Sequence, residues 1–132
     1  MHNEPINPIT RMDYPDPDVI RVRDTFYMVS TTMYFFPGCE ILQSRDLVHW
    51  EHACYVYESL DGLPKQRLEG EENDYGKGMW AASLRYHEGL FYVLFVALET
   101  HTTYLYTTKD MNKPWKRRTI EGFYHDASLL FD

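Results

Sequence analysis

The chain has 132 residues, with 13 Lys and Arg against 20 Asp and Glu and a formal net charge of −7. The length suits one ordinary domain, and a composition of 44% hydrophobic and 25% charged residues is that of a globular protein. The acidic balance argues against a binder of nucleic acid, which needs a basic surface, and no apolar run approaches the roughly 18 residues that span a membrane. The amino terminus lacks the basic and apolar regions of a secretory signal, so we expect a cytoplasmic protein whose Cys39 and Cys54 are reduced.

The first part of the chain is typical of four β-strands. Runs of β-branched and aromatic residues predict strands at 18–23 and 26–31, joined by a polar turn at Asp24-Thr25. A third strand is predicted at 40–44, and a fourth at 48–51 after a turn that contains an aspartate. Residues 57–77 follow, and their Glu, Gly, Asp and Asn content without periodicity predicts a long surface loop.

The same order of strands and turns then returns. Strands are predicted at 80–86, 90–97, 103–108 and 115–118, with a turn at 87–89 that contains a glycine. Phe26-Tyr27 recurs as Phe91-Tyr92, 65 residues later, and Trp50 recurs as Trp115 at the same spacing. Four-stranded units repeated along a chain are the mark of a β-propeller.

The repeat starts a third time near the end of the chain, since Asp126-Ala127-Ser128-Leu129 resembles Asp16-Pro17-Asp18-Val19. We therefore predict an all-β chain of the five-bladed propeller type that holds only about two blades and the first strand of a third. The predicted ranges are blade one at about 14–56, the loop at 57–77, blade two at about 78–118 and the start of blade three at 123–132.

Two aspartates, Asp16 and Asp126, occupy the same place in two repeats. Because the first strand of each blade lines the central channel, equivalent positions at its mouth converge from different blades. Carboxylates placed in this way repel each other and suit acid–base chemistry on a sugar or another polar substrate. The alternative is that each aspartate only caps a turn or binds backbone amides at the start of a strand.

An ordered set of motifs resembles family 43 of the glycoside hydrolases over nearly the whole chain. These motifs are Tyr14-Pro15-Asp16-Pro17-Asp18-Val19-Ile20, Phe26-Tyr27-Met28-Val29-Ser30-Thr31, Phe36-Pro37-Gly38, Ser44-Arg45-Asp46-Leu47-Val48-His49-Trp50, Gly78-Met79-Trp80-Ala81-Ala82 and Phe123-Tyr124-His125-Asp126-Ala127-Ser128-Leu129. The resemblance implies a five-bladed propeller that acts on xylan, xylo-oligosaccharides or arabinose-containing chains by inverting hydrolysis.

The resemblance also implies roles for individual residues. Asp16 is the expected general base, and Asp126 the expected third carboxylate, which modulates the pKa of the acid and orients the sugar. Trp80 is expected to wall the sugar subsite. Apart from the resemblance, the position of His125 beside Asp126 makes it a candidate to reach the substrate or orient a carboxylate. An apparent one-residue insertion near Met33 leaves open which of Met33, Phe35 and Phe36 faces the sugar, and Phe35 and Phe36 are taken as substrate-binding candidates.

The general acid of the family is a glutamate from a later blade, and no glutamate of this chain matches its motif. We therefore expect the isolated chain to be inactive. The alternatives are a non-catalytic carbohydrate-binding remnant and an incomplete propeller with no function of its own. No cofactor is expected to be required. Family members often hold a calcium ion in the central channel, although this stretch has no ligand set that demands one.

The expected partners are an oligosaccharide or polysaccharide substrate, without nucleic acid or membrane. Two blades cannot close a ring, so we also expect the chain to associate through its exposed blade faces, with itself or with the rest of the propeller. The sequence leaves open xylose against arabinose and exo against endo cleavage.

Overall fold

The computed structural model describes residues 7–34, 36–62, 64–73 and 75–132. Within these residues, two four-stranded antiparallel sheets each have their strands side by side in chain order. The first sheet contains β1 (Asp18–Val22), β2 (Thr25–Val29), β3 (Gly38–Ser44) and β4 (Glu51–Tyr57). The second contains β5 (Ser83–His87), β6 (Leu90–Ala97), β7 (Thr102–Thr108) and β8 (Lys116–Ile120). The predicted repeat of four-stranded units is confirmed.

Two-residue turns set the register of the first hairpin in each sheet. In the second sheet His87 pairs with Leu90, and the turn residues Glu88 and Gly89 have φ of 47° and 82°. Two left-handed residues match the right-handed twist of the flanking strands, and the glycine adopts that conformation without strain. The predicted turn is confirmed. The turn of the first hairpin lies at residues 23–24, one residue earlier than predicted.

The fourth strand of the first sheet begins later than predicted, at Glu51 instead of residue 48. The hydroxyl of Ser44 and the carboxylate of Asp46 accept four backbone N–H groups within the turn that follows β3. These side-chain acceptors take the place of ladder hydrogen bonds, and so they extend the turn to Trp50. The recurring tryptophans therefore precede the fourth strands, since β8 also begins one residue after Trp115.

The first strand of the second sheet is also shorter than predicted, beginning at Ser83 rather than residue 80. The residues before it join the two sheets instead. Met79, which is fully buried, forms isolated β-bridges with Thr32 and with Ala97. These bridges hold the next residue, Trp80, beside the end of β6, where its backbone N–H donates to the carbonyl of Val96.

The loop predicted at 57–77 contains one short element, a 3-10 helix at Pro64–Arg67. The buried side chain of Gln66 accepts the backbone N–H groups of Leu60 and Asp61 at 3.0 and 3.2 Å. Tyr57, predicted as the first residue of the loop, is instead the last residue of β4. Among the described residues, no helix has the length and apolar character needed to cross a membrane.

The last segment, residues 121–132, lies beside the second sheet without forming a strand ladder. A β-strand needs a hydrogen-bonded neighbour, and the described chain places none beside this segment. Side chains hold it in place. The ring of Phe131 stacks on His87 with centroids 4.3 Å apart, and the hydroxyls of Ser83 and Ser128 lie 3.3 Å apart.

The hydrophobic core lies between the two sheets. Val29 and Ile41 from the first sheet, and Leu84 and Val93 from the second, are fully buried. An aromatic cluster extends this core, and its members are Tyr57, Phe95, Tyr104 and Tyr106. The strands β1 and β5 also contact each other, as expected for the inner strands of adjacent blades.

Candidate active site

Asp16 lies just before β1 and points one carboxylate oxygen at the end of β2. It accepts the hydroxyl of Thr31 at 3.0 Å, and the Thr31 backbone N–H donates to the carbonyl of Pro15 at 3.0 Å. The backbone at Asp16 is left-handed, with φ of 50°, a conformation that aspartate tolerates better than most residues. Asp16 is exposed, and its second oxygen has no hydrogen bond to the described residues. This oxygen is therefore available to water.

Asp126 has the same backbone conformation, with φ of 52°. Its carboxylate lies 3.2 Å from Nδ1 of His125, and both side chains are about half exposed or more. The adjoining imidazole can orient the carboxylate while leaving it open to solvent. The matched positions of Asp16 and Asp126 in the sequence repeat thus correspond to matched backbone conformations.

Trp80 lies next to His125, the residue that contacts this second carboxylate. The edge of its indole meets the imidazole of His125, with ring centroids 5.5 Å apart and an interplanar angle of 70°. The indole N–H donates to the carbonyl of Gly76 at 3.2 Å, and the backbone N–H donates to Val96 at 2.9 Å. The ring is fixed at both ends and only partly buried, so it has an apolar surface of defined orientation on which a sugar can lie.

The remaining aromatic candidates, Phe35 and Phe36, precede β3 in the chain. Phe36 packs against Tyr57, with ring centroids 5.8 Å apart, and belongs to the partly buried side chains around the core. Phe35 lies outside the described residues. The assignment of either ring to the sugar subsite stays a prediction.

Two further tyrosines, which sequence reasoning missed, stand near Trp80. Tyr34 and Tyr75 are 41% and 72% exposed and pack together with ring centroids 4.7 Å apart. Tyr75 precedes the glycine whose carbonyl holds the Trp80 indole, and the carbonyl of Met33 accepts the N–H of Gly78 at 3.1 Å. The signal in the sequence was an aromatic residue, Tyr75, directly after the polar run 69–74 of the predicted loop.

A polar network, also missed from the sequence, joins the two sheets and the last segment. The carboxylate of Asp18 accepts the guanidinium of Arg85 and the backbone N–H of Leu84, each at 2.8 Å. A second guanidinium nitrogen of Arg85 donates to the hydroxyl of Ser128 at 2.7 Å. One arginine therefore contacts a residue two positions after Asp16 and a residue two positions after Asp126.

The described residues bring together no group of three or more His, Cys, Asp or Glu side chains that could hold a metal ion. Among the described residues, Trp80, His125 and Asp126 form one group by contact, and Asp16 contacts Thr31. The candidate groups are thus two exposed carboxylates, a histidine and aromatic rings. Such a set can activate a water molecule and hold a sugar ring.

Comparison with known proteins identifies the family of the chain. The model of the family "Glycosyl hydrolases family 43" matches residues 5–132. The chain is 38% identical to a beta-xylosidase of Formosa agariphila over 112 residues, 85% of this chain and 19% of that protein. It is 35% identical to the non-reducing end alpha-L-arabinofuranosidase BoGH43B of Bacteroides ovatus over 129 residues, 95% of this chain and 24% of that protein.

Solved structures are also similar to this chain. A bifunctional GH43-CE protein of Bacteroides eggerthii superposes with a TM-score of 0.88 at 45% identity, covering 97% of this chain and 18% of that one. A xylan beta-1,4-xylosidase of Bacillus halodurans superposes with a TM-score of 0.78 at 32% identity, covering 96% of this chain and 25% of that one. The chain thus spans between about a fifth and a quarter of the length of these relatives. It belongs to family 43 of the glycosyl hydrolases.

Proposed function

We propose that this chain supplies the first part of the active site of an inverting glycosidase that acts on xylan- or arabinan-derived oligosaccharides. The relatives named beta-xylosidase and alpha-L-arabinofuranosidase support this class of substrate. The observation that carries the proposal is the contact series from Trp80 through His125 to Asp126, which puts an aromatic surface beside an exposed carboxylate.

Asp16 is the general base in this proposal. Inverting hydrolysis needs a carboxylate that removes a proton from water as the water attacks the anomeric carbon. The Thr31 hydroxyl occupies one oxygen of Asp16 and fixes the direction of the other. The exposed second oxygen accepts the proton, and the C–O bond to the leaving group breaks on the opposite face of the sugar.

Asp126 is the third carboxylate. A negative charge near a protonated carboxyl group raises the pKa of that group, and this keeps a general acid protonated near neutral pH. His125 orients Asp126 and at the same time contacts the edge of Trp80. The carboxylate and the sugar-binding ring are therefore aligned through one imidazole.

The general acid comes from outside these 132 residues in this proposal. The glutamates of the chain lack the sequence motif of the family's acid. A base without an acid leaves the departing oxygen unprotonated, which removes the help that leaving groups of high pKa need. The isolated chain is therefore inactive in this proposal, and activity belongs to the complete protein.

Tyr34 and Tyr75 form a second aromatic surface for the sugar that follows the cleaved bond. Their exposed rings stand on the two segments joined by the hydrogen bond from Gly78 to Met33, next to the residues that hold Trp80. Stacking of a sugar on aromatic rings needs such apolar faces with free edges. In this proposal the pair binds an oligosaccharide and leaves a single sugar unaffected.

The test is an assay of the product of the complete reading frame that contains these residues. Aryl β-xylosides and aryl α-L-arabinofuranosides are incubated with the enzyme, and the first sugar anomer released is followed by proton NMR. The proposal requires hydrolysis of at least one of them with inversion at the anomeric carbon. Release with retained configuration, or hydrolysis of neither glycoside, contradicts it.

A carbohydrate-binding role without catalysis is the second candidate, and the exposed pair of Tyr34 and Tyr75 favours it. It predicts that the complete protein binds xylo-oligosaccharides in calorimetry and hydrolyses none of them. Turnover that depends on Asp16 rules this candidate out.

A further inference from the structure

The two proposed carboxylates share a local geometry that extends beyond their own contacts. Each lies on a left-handed residue, and each is followed two positions later by a residue bound to the same side chain, that of Arg85. In the first repeat this residue is Asp18, and in the third it is Ser128. In both repeats one residue therefore separates the proposed catalytic aspartate from the residue bound by Arg85, which we call the anchor.

The anchor on the first side is a charged and partly buried contact. Arg85 and Asp18 lie 2.8 Å apart with their side chains 33% and 31% exposed. The backbone N–H of Leu84 donates to the same oxygen of Asp18 at 2.8 Å, so the carboxylate is held from two directions. Partial burial and a second donor make this pair stronger than an ion pair on the open surface.

The anchor on the other side is the hydroxyl of Ser128, which is 2.7 Å from the second terminal nitrogen of Arg85. Ser83, in the same strand as Arg85, places its hydroxyl 3.3 Å from that of Ser128. The last segment has no strand ladder in the described chain, so side-chain contacts such as these replace it. Loss of Arg85 therefore removes one of the side-chain contacts that hold the backbone carrying Asp126.

We propose that Arg85 is a positioning residue that fixes Asp16 and Asp126 relative to each other, and this rests on the proposed function above. Arg85 does not contact the substrate in this proposal; it acts through Asp18 and Ser128. A displacement of about 1 Å at a catalytic group can cost on the order of 100-fold in rate. Removing the arginine is thus expected to reduce kcat while leaving KM, which depends on the aromatic surfaces, nearly unchanged.

Arginine is required because its guanidinium is a rigid fork. One nitrogen binds Asp18 while the other binds Ser128, and the angle between them is fixed by the planar group. Lysine carries a single nitrogen on a flexible chain, so it retains the charge contact with Asp18 and loses the fixed link to Ser128. Arg85→Lys is therefore expected to fall between the native enzyme and a variant without charge.

The experiment uses the product of the complete reading frame and four variants: Arg85→Met, Arg85→Lys, Ser128→Ala and, as control, Arg118→Met. Arg118 is an exposed arginine of β8. For each protein, kcat and KM on an aryl glycoside are measured, and hydrogen exchange is followed by mass spectrometry in peptides covering 14–20 and 124–131. The exchange measurement does not depend on catalysis.

We expect Arg85→Met to lower kcat by about 100-fold with KM within about threefold of native, and to speed exchange in both peptides. Arg85→Lys is expected to lose about 10-fold in kcat, Ser128→Ala about 5-fold, and the control nothing. If Arg85→Met does not fold, the other two variants decide. A kcat within threefold of native in Arg85→Lys and Ser128→Ala, or faster exchange in only one of the two peptides in the arginine variants, overturns the proposal.

Failure of the proposed function gives a different result. If the native protein hydrolyses no glycoside, that function is wrong, and exchange alone decides on Arg85. Faster exchange of both peptides then supports the common anchor, and unchanged exchange overturns it.

Discussion

Trp80 and His125 meet edge to face across two repeats, with ring centroids 5.5 Å apart. His125 also adjoins Asp126, whose carboxylate lies 3.2 Å from its Nδ1. One imidazole therefore connects the proposed sugar-binding ring to a proposed catalytic carboxylate. In the proposed function, His125 is therefore the side chain that orients both the sugar-binding ring and the carboxylate.

Replacement of His125 by alanine is expected to impair both functions. The change removes the partner of Asp126 and the ring contact of Trp80, so we expect kcat to fall by about 10-fold, less than the roughly 100- to 10,000-fold that a group transferring the proton itself contributes. KM is expected to rise severalfold. Steady-state kinetics of the complete protein measures both constants. His52→Ala is the matched control, because the His52 side chain is also 48% exposed and pairs with a carboxylate, Glu40. Equal effects of the two changes contradict the assigned role.

Replacement of Tyr75 by alanine is expected to act on oligosaccharides alone. It removes the more exposed ring of the pair with Tyr34, so KM for xylotriose is expected to rise by about 5- to 10-fold, the worth of one aromatic contact. KM for an aryl monoglycoside should stay constant. Tyr55→Ala is the control, since Tyr55 is 38% exposed and contacts His52. An equal rise in KM for both substrates would place Tyr75 in the same subsite as Trp80.

Gly38 begins β3 at a point where a side chain has no room. A Cβ atom at this position would lie 2.6 Å from Cε2 of Tyr57, and that ring is held by Phe95 and Tyr106. Gly38→Ala is therefore expected to lower the free energy of unfolding by about 1–3 kcal/mol, the usual cost of overpacking a core. Urea denaturation measures it.

Gly89→Ala is the comparison for this change. Gly89 has a left-handed backbone, with φ of 82°, and nothing within 4 Å of the added atom. Gly89→Ala is therefore expected to lower the free energy of unfolding by about 1 kcal/mol, through the backbone conformation alone. A Gly38→Ala protein as stable as the native one would show that the Tyr57 ring moves freely.

The two cysteines are expected to react slowly with thiol reagents. Burial raises the pKa of Cys54 to about 11 and that of Cys39 well above its usual value. The thiolate is the reactive form, so a thiol reagent should modify neither cysteine of the native protein within minutes at pH 8. The rate of modification of Cys54 should rise as the pH approaches 11. Labelling with a disulfide reagent, with urea-unfolded protein as control, measures this. Rapid labelling of either cysteine in the native protein at pH 8 contradicts the burial of that residue.

Much of the fold follows from local patterns in the sequence. β6 occupies the predicted residues 90–97, because the nine consecutive apolar residues from Leu90 to Leu98, followed by a polar turn, leave few alternatives. The predicted starts of β4 and β5 were each wrong by three residues, and β4 ends at Tyr57 instead of residue 51, for a different reason. The side chains of Ser44 and Asp46 accept backbone N–H groups before β4, and Met79 forms bridges to both sheets before β5. Neither effect produces a periodic pattern of residues in the sequence.

The candidate site likewise contains residues that the sequence identifies and residues that only the structure brings together. Asp16, Asp126 and Trp80 could be selected from their places in a repeat and in an ordered set of motifs. Arg85 could not, since its role depends on reaching Asp18 and Ser128, which lie 67 and 43 residues away in the chain. Tyr34 and Tyr75 were missed because their pairing requires the contact between the loop and the first sheet.

The most direct test of the central claim is the Asp16→Asn variant of the complete protein. Its hydrolysis rate is measured on an aryl glycoside with a good leaving group and on the corresponding disaccharide. A general base acts on water and not on the leaving group, so the account predicts an equal loss of about 1,000-fold or more on both substrates. Native-like rates, or activity restored on the aryl glycoside alone, would contradict the assignment of Asp16 as the base.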